Sequence, residues 1–169
     1  MKASNIVLSV PLQQLKDEHV SLRADMNLFY EIIEEIEFNS GPAVVQLFAN
    51  LYQLISTFTN KLMAHSKREE EILFPMMSRH LGENDRTIEV MECEHKKAEQ
   101  HLQDFLTEAG KAGSSIDEND VQWITVFAFQ AHATLTQHFA KEEKVLFPLA
   151  EHILPIEEKE KLERLLQVL

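Results

Sequence analysis

Two copies of one short stretch hold the residues best suited to chemistry. The first is His65-Ser-Lys-Arg-Glu69-Glu-Glu-Ile-Leu-Phe-Pro75, and the second is His138-Phe-Ala-Lys-Glu142-Glu-Lys-Val-Leu-Phe-Pro148. Both read H-x-x-K/R-E-E-x-I/V-L-F-P. Glu18-His19 precedes the first copy and Glu94-His95 the second, while His80 and His152 follow them. The order is His, then His-x-x-x-Glu, then both again. Such self-similarity predicts two copies of one helical hairpin, each supplying the same donor types.

Residues four apart stack on one face of a helix, so His65 with Glu69, and His138 with Glu142, can reach a single point. A buried carboxylate without a partner costs roughly several kcal/mol, and two facing each other cost more. A cation between them removes the problem. Four imidazoles (His19, His65, His95, His138) and two carboxylates are too many for one tetrahedral ion. They suit two ions bridged by the carboxylates, with at least one position left for water or a small ligand. Mixed nitrogen and oxygen ligation favours iron over magnesium or calcium, which prefer oxygen shells; zinc and manganese accept similar donors. Each part alone says little. A lone His in an apolar stripe is usually a hydrogen-bonded core residue, and a lone H-x-x-x-E is common on helix surfaces. The joint pattern is what points to metal.

Four amphipathic helices must position these donors. The first spans about Pro11 to Phe38, with Leu12, Leu15, His19, Leu22, Met26, Phe29, Ile33 and Ile36 at alternating spacings of three and four. Asn39-Ser-Gly-Pro42 turns the chain. The second runs from about Pro42 towards Arg79, with its stripe on Val44, Leu47, Leu51, Leu54, Phe58, Leu62, His65, Glu69, Ile72 and Met76. Pro75 predicts a kink or a stop. The third starts near Asn84 or Asp85 as N-cap and ends before Gly110, along Ile88, Met91, His95, Ala98, Leu102, Phe105 and Ala109. Lys111–Ser115 reads as a loop. The fourth begins within 117–120 and reaches about Pro148, along Val121, Ile124, Phe127, Ala131, Leu135, His138, Glu142, Val145 and Leu149. A short helix follows Pro155, with Leu162, Leu165, Leu166 and Leu169 on its apolar side. The expected fold is all-α: an up-down-up-down four-helix bundle over about 11–150 with a short C-terminal helix over about 155–168, one domain in all.

These residues resemble the hemerythrin-like (HHE cation-binding) domains, from His19 to about Pro148. The H-x-x-x-E-E-x-x-L-F-P repeats are specific to that family. The resemblance implies a four-helix bundle around a non-haem di-iron centre with oxo or hydroxo and carboxylate bridges. It makes His19, His65, His95 and His138 terminal ligands, and Glu69 and Glu142 the bridging carboxylates. Oxygen-carrying hemerythrins have a second His four residues after the third-helix His, and a bridging Asp five residues after the fourth. Here Glu99 fills the first position, and the second bridge is Glu142 at a spacing of four. Glu99 is thus an additional candidate ligand; otherwise the site is one nitrogen short. Either departure shifts the expectation from reversible oxygen storage towards reactive or sensing chemistry.

Several neighbours read as outside the donor set. His101 and His132 lie six residues from a stripe His, about 240° round the helix, and should face the surface. Cys93 points away from His95 by the same geometry. Glu18, Glu70, Glu94 and Glu143 are either solvated or hydrogen-bonded to an imidazole from outside. His80 and His152 belong near bundle ends. Leu62, Leu135, Phe58 and Phe139 are expected to wall the site one turn away, as core packing would also have them.

The totals narrow the function further. The chain has 169 residues, 44% hydrophobic and 26% charged, enough for a sizeable core. A net charge of −12 opposes unaided binding to nucleic acid or anionic lipid. One cysteine forms no intrachain disulfide, so a reducing, cytoplasmic setting is expected. The apolar run Ile6–Val10 is too short for an export signal, and no run approaches the ~20 residues that span a bilayer. The leading expectation is a di-iron module that binds or senses oxygen, nitric oxide or peroxide. The alternative is a di-iron enzyme of oxidative or nitrosative stress, which turns over peroxide or nitric oxide or delivers iron for iron–sulfur repair. Repair proteins resembling this domain usually carry an N-terminal Cys-bearing segment, not seen here, which lowers that last expectation. A metal-free interaction module is the third reading, and the buried Glu pair opposes it.

Overall fold

The structure is a computed structural model and describes residues 6–169. Helix α1 is Val10–Phe38 and α2 is Pro42–Arg68. A π-helical turn, Glu69–Leu73, carries α2 into α3, Phe74–Ser78. Helix α4 is Thr87–Ala112, followed by a 3₁₀ turn, Gly113–Ser115. Helix α5 is Glu118–Lys141; a second π-helical turn, Glu142–Leu146, leads into α6, Phe147–Ile153. Helix α7 is Ile156–Leu166. There is no strand among the described residues. Four rods pack side by side, α1 against α2 and α5, and α4 against α2 and α5.

The two π turns start at Glu69 and at Glu142, and each ends just before a Phe-Pro pair. A proline ring collides with the carbonyl four residues back in a regular helix. The wider turn relieves that collision: the Phe74 N–H reaches back to the Glu69 carbonyl and the Phe147 N–H to that of Glu142. Both rods therefore continue past their prolines, so the stop that Pro75 could have imposed does not occur. Such a turn inserts one residue into the helical register. In the second rod the buried face advances by one position, with Val145 54% exposed and Leu146 buried in its place; in the first, Ile72 and Met76 stay buried beside Leu73 and Met77.

Other expected boundaries shift for local reasons. Helix α4 starts at Thr87, whose N–H is accepted by the Asp85 side chain two residues earlier, so Asp85 precedes the cap position, which Arg86 holds. It also runs through Gly110 to Ala112, where a loop was expected. The stop is at Gly113, whose φ of 53° favours glycine. Helix α5 begins with a reciprocal capping box between Asp117 and Asp120.

The apolar interior falls into two clusters. One runs from Ile36, Val44, Phe105 and Val121 to Leu22, Leu62, Leu135 and Phe139. The other joins Leu12, Leu15, Leu73, Phe74, Met91, Leu146 and Phe147 to Leu162 and Leu166 of α7. In α2, Phe48 and Ile55 are buried while the expected Leu47 and Leu54 are half-buried; in α5, Ala128 is buried and Phe127 half-buried. Of the four leucines expected on the apolar side of the last helix, Leu165 and Leu169 are exposed. A layer of buried polar residues lies between the clusters: His19, His65, Glu69, His95, His138 and Glu142.

Candidate metal centre

Each of these six side chains enters the layer from a stripe position. His19 comes from α1, His65 from α2, His95 from α4 and His138 from α5; Glu69 and Glu142 are the first residues of the two π turns. Their donor atoms converge into two groups, His19, His65, Glu69 and Glu142, and Glu69, His95, His138 and Glu142. Within each group the donor atoms lie within 4.8 Å of one another, and both carboxylates belong to both groups. Glu99 is in neither group.

The outward ring nitrogen of every imidazole meets a carboxylate from a neighbouring rod. His65 Nδ1 is 2.6 Å from Glu18, His95 Nδ1 is 2.7 Å from Glu70, His138 Nδ1 is 2.9 Å from Glu94 and His19 Nδ1 is 3.1 Å from Glu143. The pairing runs round the bundle: α1 holds the His of α2, the turn after α2 holds that of α4, α4 holds that of α5, and the turn after α5 holds that of α1. Three of these carboxylates are tied to cations in turn. Arg23 forks onto Glu143 at 2.6 and 2.9 Å, Arg68 approaches Glu18 at 3.0 Å, and Lys141 pairs with Glu94. These partners hold the carboxyls of Glu18, Glu94 and Glu143 below their usual range, although burial opposes the charge. An ionised carboxylate at Nδ1 accepts the ring proton there, which leaves Nε2 as a bare lone pair.

On the neutral rings those Nε2 lone pairs face inward at short range. His19 and His65 bring their Nε2 atoms to 3.1 Å. His138 Nε2 lies 2.6 Å and His19 Nε2 2.9 Å from Glu142, His65 Nε2 3.1 Å from Glu69, and His95 Nε2 3.2 Å from Glu69 and 3.4 Å from Glu142. Despite these short separations, both oxygens of Glu69, one of Glu142 and Nε2 of His138 have no hydrogen-bond partner in acceptable geometry. Six acceptors aimed at one volume require positive charge inside it. Burial pushes the imidazolium forms down, but the carboxylates outweigh it: Glu69 and Glu18 raise the pKa of His65 to about 10, and Glu142 and Glu69 raise that of His95 to about 11. Burial opposes the Glu142 carboxylate too, yet His138, His19 and His95 hold it well below the usual carboxylate range. The donor set thus fits divalent or trivalent cations, with protons as the weaker substitute.

The walls are aromatic. The Phe139 ring stacks on His19 with centroids 4.2 Å apart, while Phe74 lies 5.7 Å from His95 and Phe147 5.7 Å from His19. Leu62 and Leu135 are buried one turn before His65 and His138, and Phe58 about two turns before His65. Sequence reasoning did not single out Phe74 and Phe147 as walls, although their repetition inside the L-F-P motif was the signal for them. Arg23, Arg68 and Lys141 were missed because their use depends on which rods are neighbours. His101 and His132 are half-buried outside the centre, with the His132 ring 4.5 Å from Tyr30. His80 pairs with Glu158 at 2.6 Å, and Cys93 is exposed. The Glu99 carboxyl is raised by burial and by Glu70 beside it.

No helix among the described residues is long and apolar enough to cross a membrane. A search of curated proteins finds no match. The family model described as the hemerythrin HHE cation binding domain matches residues 10–150. That span covers all four rods and all six inward-facing donors, and the chain belongs to the hemerythrin HHE cation-binding family.

Proposed function

We propose that the chain binds two iron ions, one with His19 and His65 and the other with His95 and His138, bridged by Glu69 and Glu142. The observation that carries this reading is the pair of four-residue donor groups sharing both carboxylates. Each ion would receive two imidazole nitrogens and one oxygen from each bridge. Iron takes up to six donors, so positions remain on both ions for an exogenous ligand. Bound there, the metal pair supplies exchangeable coordination and one-electron chemistry. The chain's own residues orient the donors through the outer carboxylates, keep the Nδ1 protons in place and exclude bulk water with Phe139, Phe74 and Phe147.

On this reading the protein binds or senses a small ligand such as oxygen, nitric oxide or peroxide. The matched donor sets also favour a second reading, an enzyme that turns over peroxide or nitric oxide or gives up iron for cluster repair, because Glu99 joins neither donor group and both ions would keep open positions. Elemental analysis of the purified protein tests the common part: two iron ions per chain with near-ultraviolet absorption of a bridged ferric pair. Metal-free protein that takes up neither iron nor another transition metal would end both readings. A reversible oxy spectrum separates the carrier from the enzyme, which instead consumes peroxide or nitric oxide with multiple turnovers.

A further inference from the structure

The two halves of the chain repeat the donors but not what surrounds them. Aligning the repeats pairs His19 with His95, His65 with His138, Glu69 with Glu142 and Glu70 with Glu143. Among the neighbouring positions that then differ, Phe139 corresponds to Ser66, Leu22 to Ala98 and Arg23 to Glu99. On the face between α1 and α5 the three larger residues close the way in. Phe139 covers His19, and the Arg23 guanidinium lies 5.8 Å from the centre of that ring while forking onto Glu143. On the face between α2 and α4 the same places hold a hydroxymethyl, a methyl and a carboxylate. Phe74 and Phe147 flank their imidazoles equally, so they do not account for the asymmetry.

A cavity of about 370 Å³ opens on that α2–α4 face, lined among others by Met63, Ser66, Lys67, Glu70, Glu71 and Glu99. Ser66 is only 2% exposed, so the cavity reaches well into the rod packing. Glu70 spans from the cavity to His95 Nδ1, at 2.7 Å. Glu69, the residue before Glu70, carries two buried oxygens that lack any hydrogen-bond donor. A smaller cavity of about 210 Å³ touches His65 between α1 and α2, and there Lys61 and Arg68 outnumber Glu18. In the larger one Glu70, Glu71 and Glu99 outnumber Lys67, so Coulomb forces favour a metal cation there.

We infer that divalent cations load the centre through the α2–α4 face, past Glu99 and Glu70 and over Ser66. The inference rests on the metal-pair reading above. Glu99 acts here as an attractive charge at the mouth, and Ser66 keeps the passage open by being small.

The test follows the loading of Co2+ into metal-free full-length protein by stopped-flow visible absorption, with final Co2+ content measured separately. Glu99→Arg should slow loading by about tenfold, the low end of electrostatic steering, and Glu99→Gln by less. Ser66→Phe, which installs the residue of the other half, should also slow it, and each loaded variant should still finish with two Co2+ per chain. Glu31→Arg, the same charge change at an exposed position about three turns from His19 on α1, should load at the wild-type rate. Wild-type rates in both Glu99 variants, or equal slowing in Glu31→Arg, would overturn the route. If Ser66→Phe fails to fold, Glu99→Arg at its half-exposed position still decides the matter. A wild-type protein that holds no Co2+ at equilibrium contradicts the metal reading instead.

Discussion

His19 and His65 face each other through their Nε2 atoms at 3.1 Å, while their Nδ1 atoms rest on Glu143 and Glu18. Two imidazoles whose protons are drawn outward can share an inner volume only with a cation. His65→Ala or Glu69→Ala should therefore lower bound metal to well below two ions per chain. His101→Ala, half-buried outside the centre, should keep the full complement. Metal analysis of purified variants checks this, and a full complement in both His65→Ala and Glu69→Ala would contradict the assignment.

The outer carboxylates predict a graded effect. Glu18→Gln keeps an acceptor at His65 but removes the charge that Arg68 balances. Loss of such a partner typically weakens metal binding by about ten- to a hundredfold without abolishing it. Competition against a chelator of known affinity should show that loss, with the site still filling at excess metal. Affinity unchanged within experimental error would mean that Glu18 only solvates the ring.

Stability of the metal-free protein should depend on pH with a definite sign. The pKa of His65 is raised to about 10 and that of His95 to about 11. An unfolded His titrates at about 6.5. The protonated rings thus stabilise the fold fully below that value, and the contribution is lost as pH rises through the folded values. Thermal unfolding of chelator-treated protein should show Tm falling between pH 7 and 10. Metal-loaded protein, whose rings hold metal in place of the inner proton, should fall less. A metal-free Tm that stays flat or rises across this window would show that some other charge neutralises the carboxylates.

The two clusters flanking the centre set a fourth expectation. Phe58 is fully buried in the larger one, with its ring 5.2 Å from that of Phe29. Phe58→Ala should cost about 3–5 kcal/mol by chemical denaturation, as large-to-small aromatic changes in cores do. Metal stoichiometry in the still-folded variant should stay unchanged, because Phe58 lies about two turns before His65 and its ring pairs with Phe29. A cost below about 1 kcal/mol would mean that the cluster repacks around the gap.

Much of this was legible in the sequence because the rods are long and their apolar period regular. His19, His65, His95 and His138 could be placed inward from their stripe positions alone, and so could Glu69 and Glu142. What stayed hidden needed knowledge beyond one helix. The π turns escaped because a period of three and four cannot announce a single inserted residue, so Val145 was placed inside where Leu146 stands. The hydrogen bonds of Glu18, Glu70, Glu94 and Glu143 were one of two readings. Their partners could not be assigned, because each lies on a different rod. Phe48 and Ile55 were passed over for Leu47 and Leu54, since either set fits the same spacing and only the neighbouring rods decide between them.

The division of the apolar interior has a mechanical consequence. With a polar storey in the middle, the floor containing Leu73, Phe147 and Leu162 shares few greasy contacts with the floor containing Phe29, Phe58 and Phe105. Cations at the junction would rivet the two floors together, and stripping them would let the α7 end breathe independently. Amide hydrogen exchange in α3, α6 and α7 should then quicken well before the distant Val44–Val121 end responds.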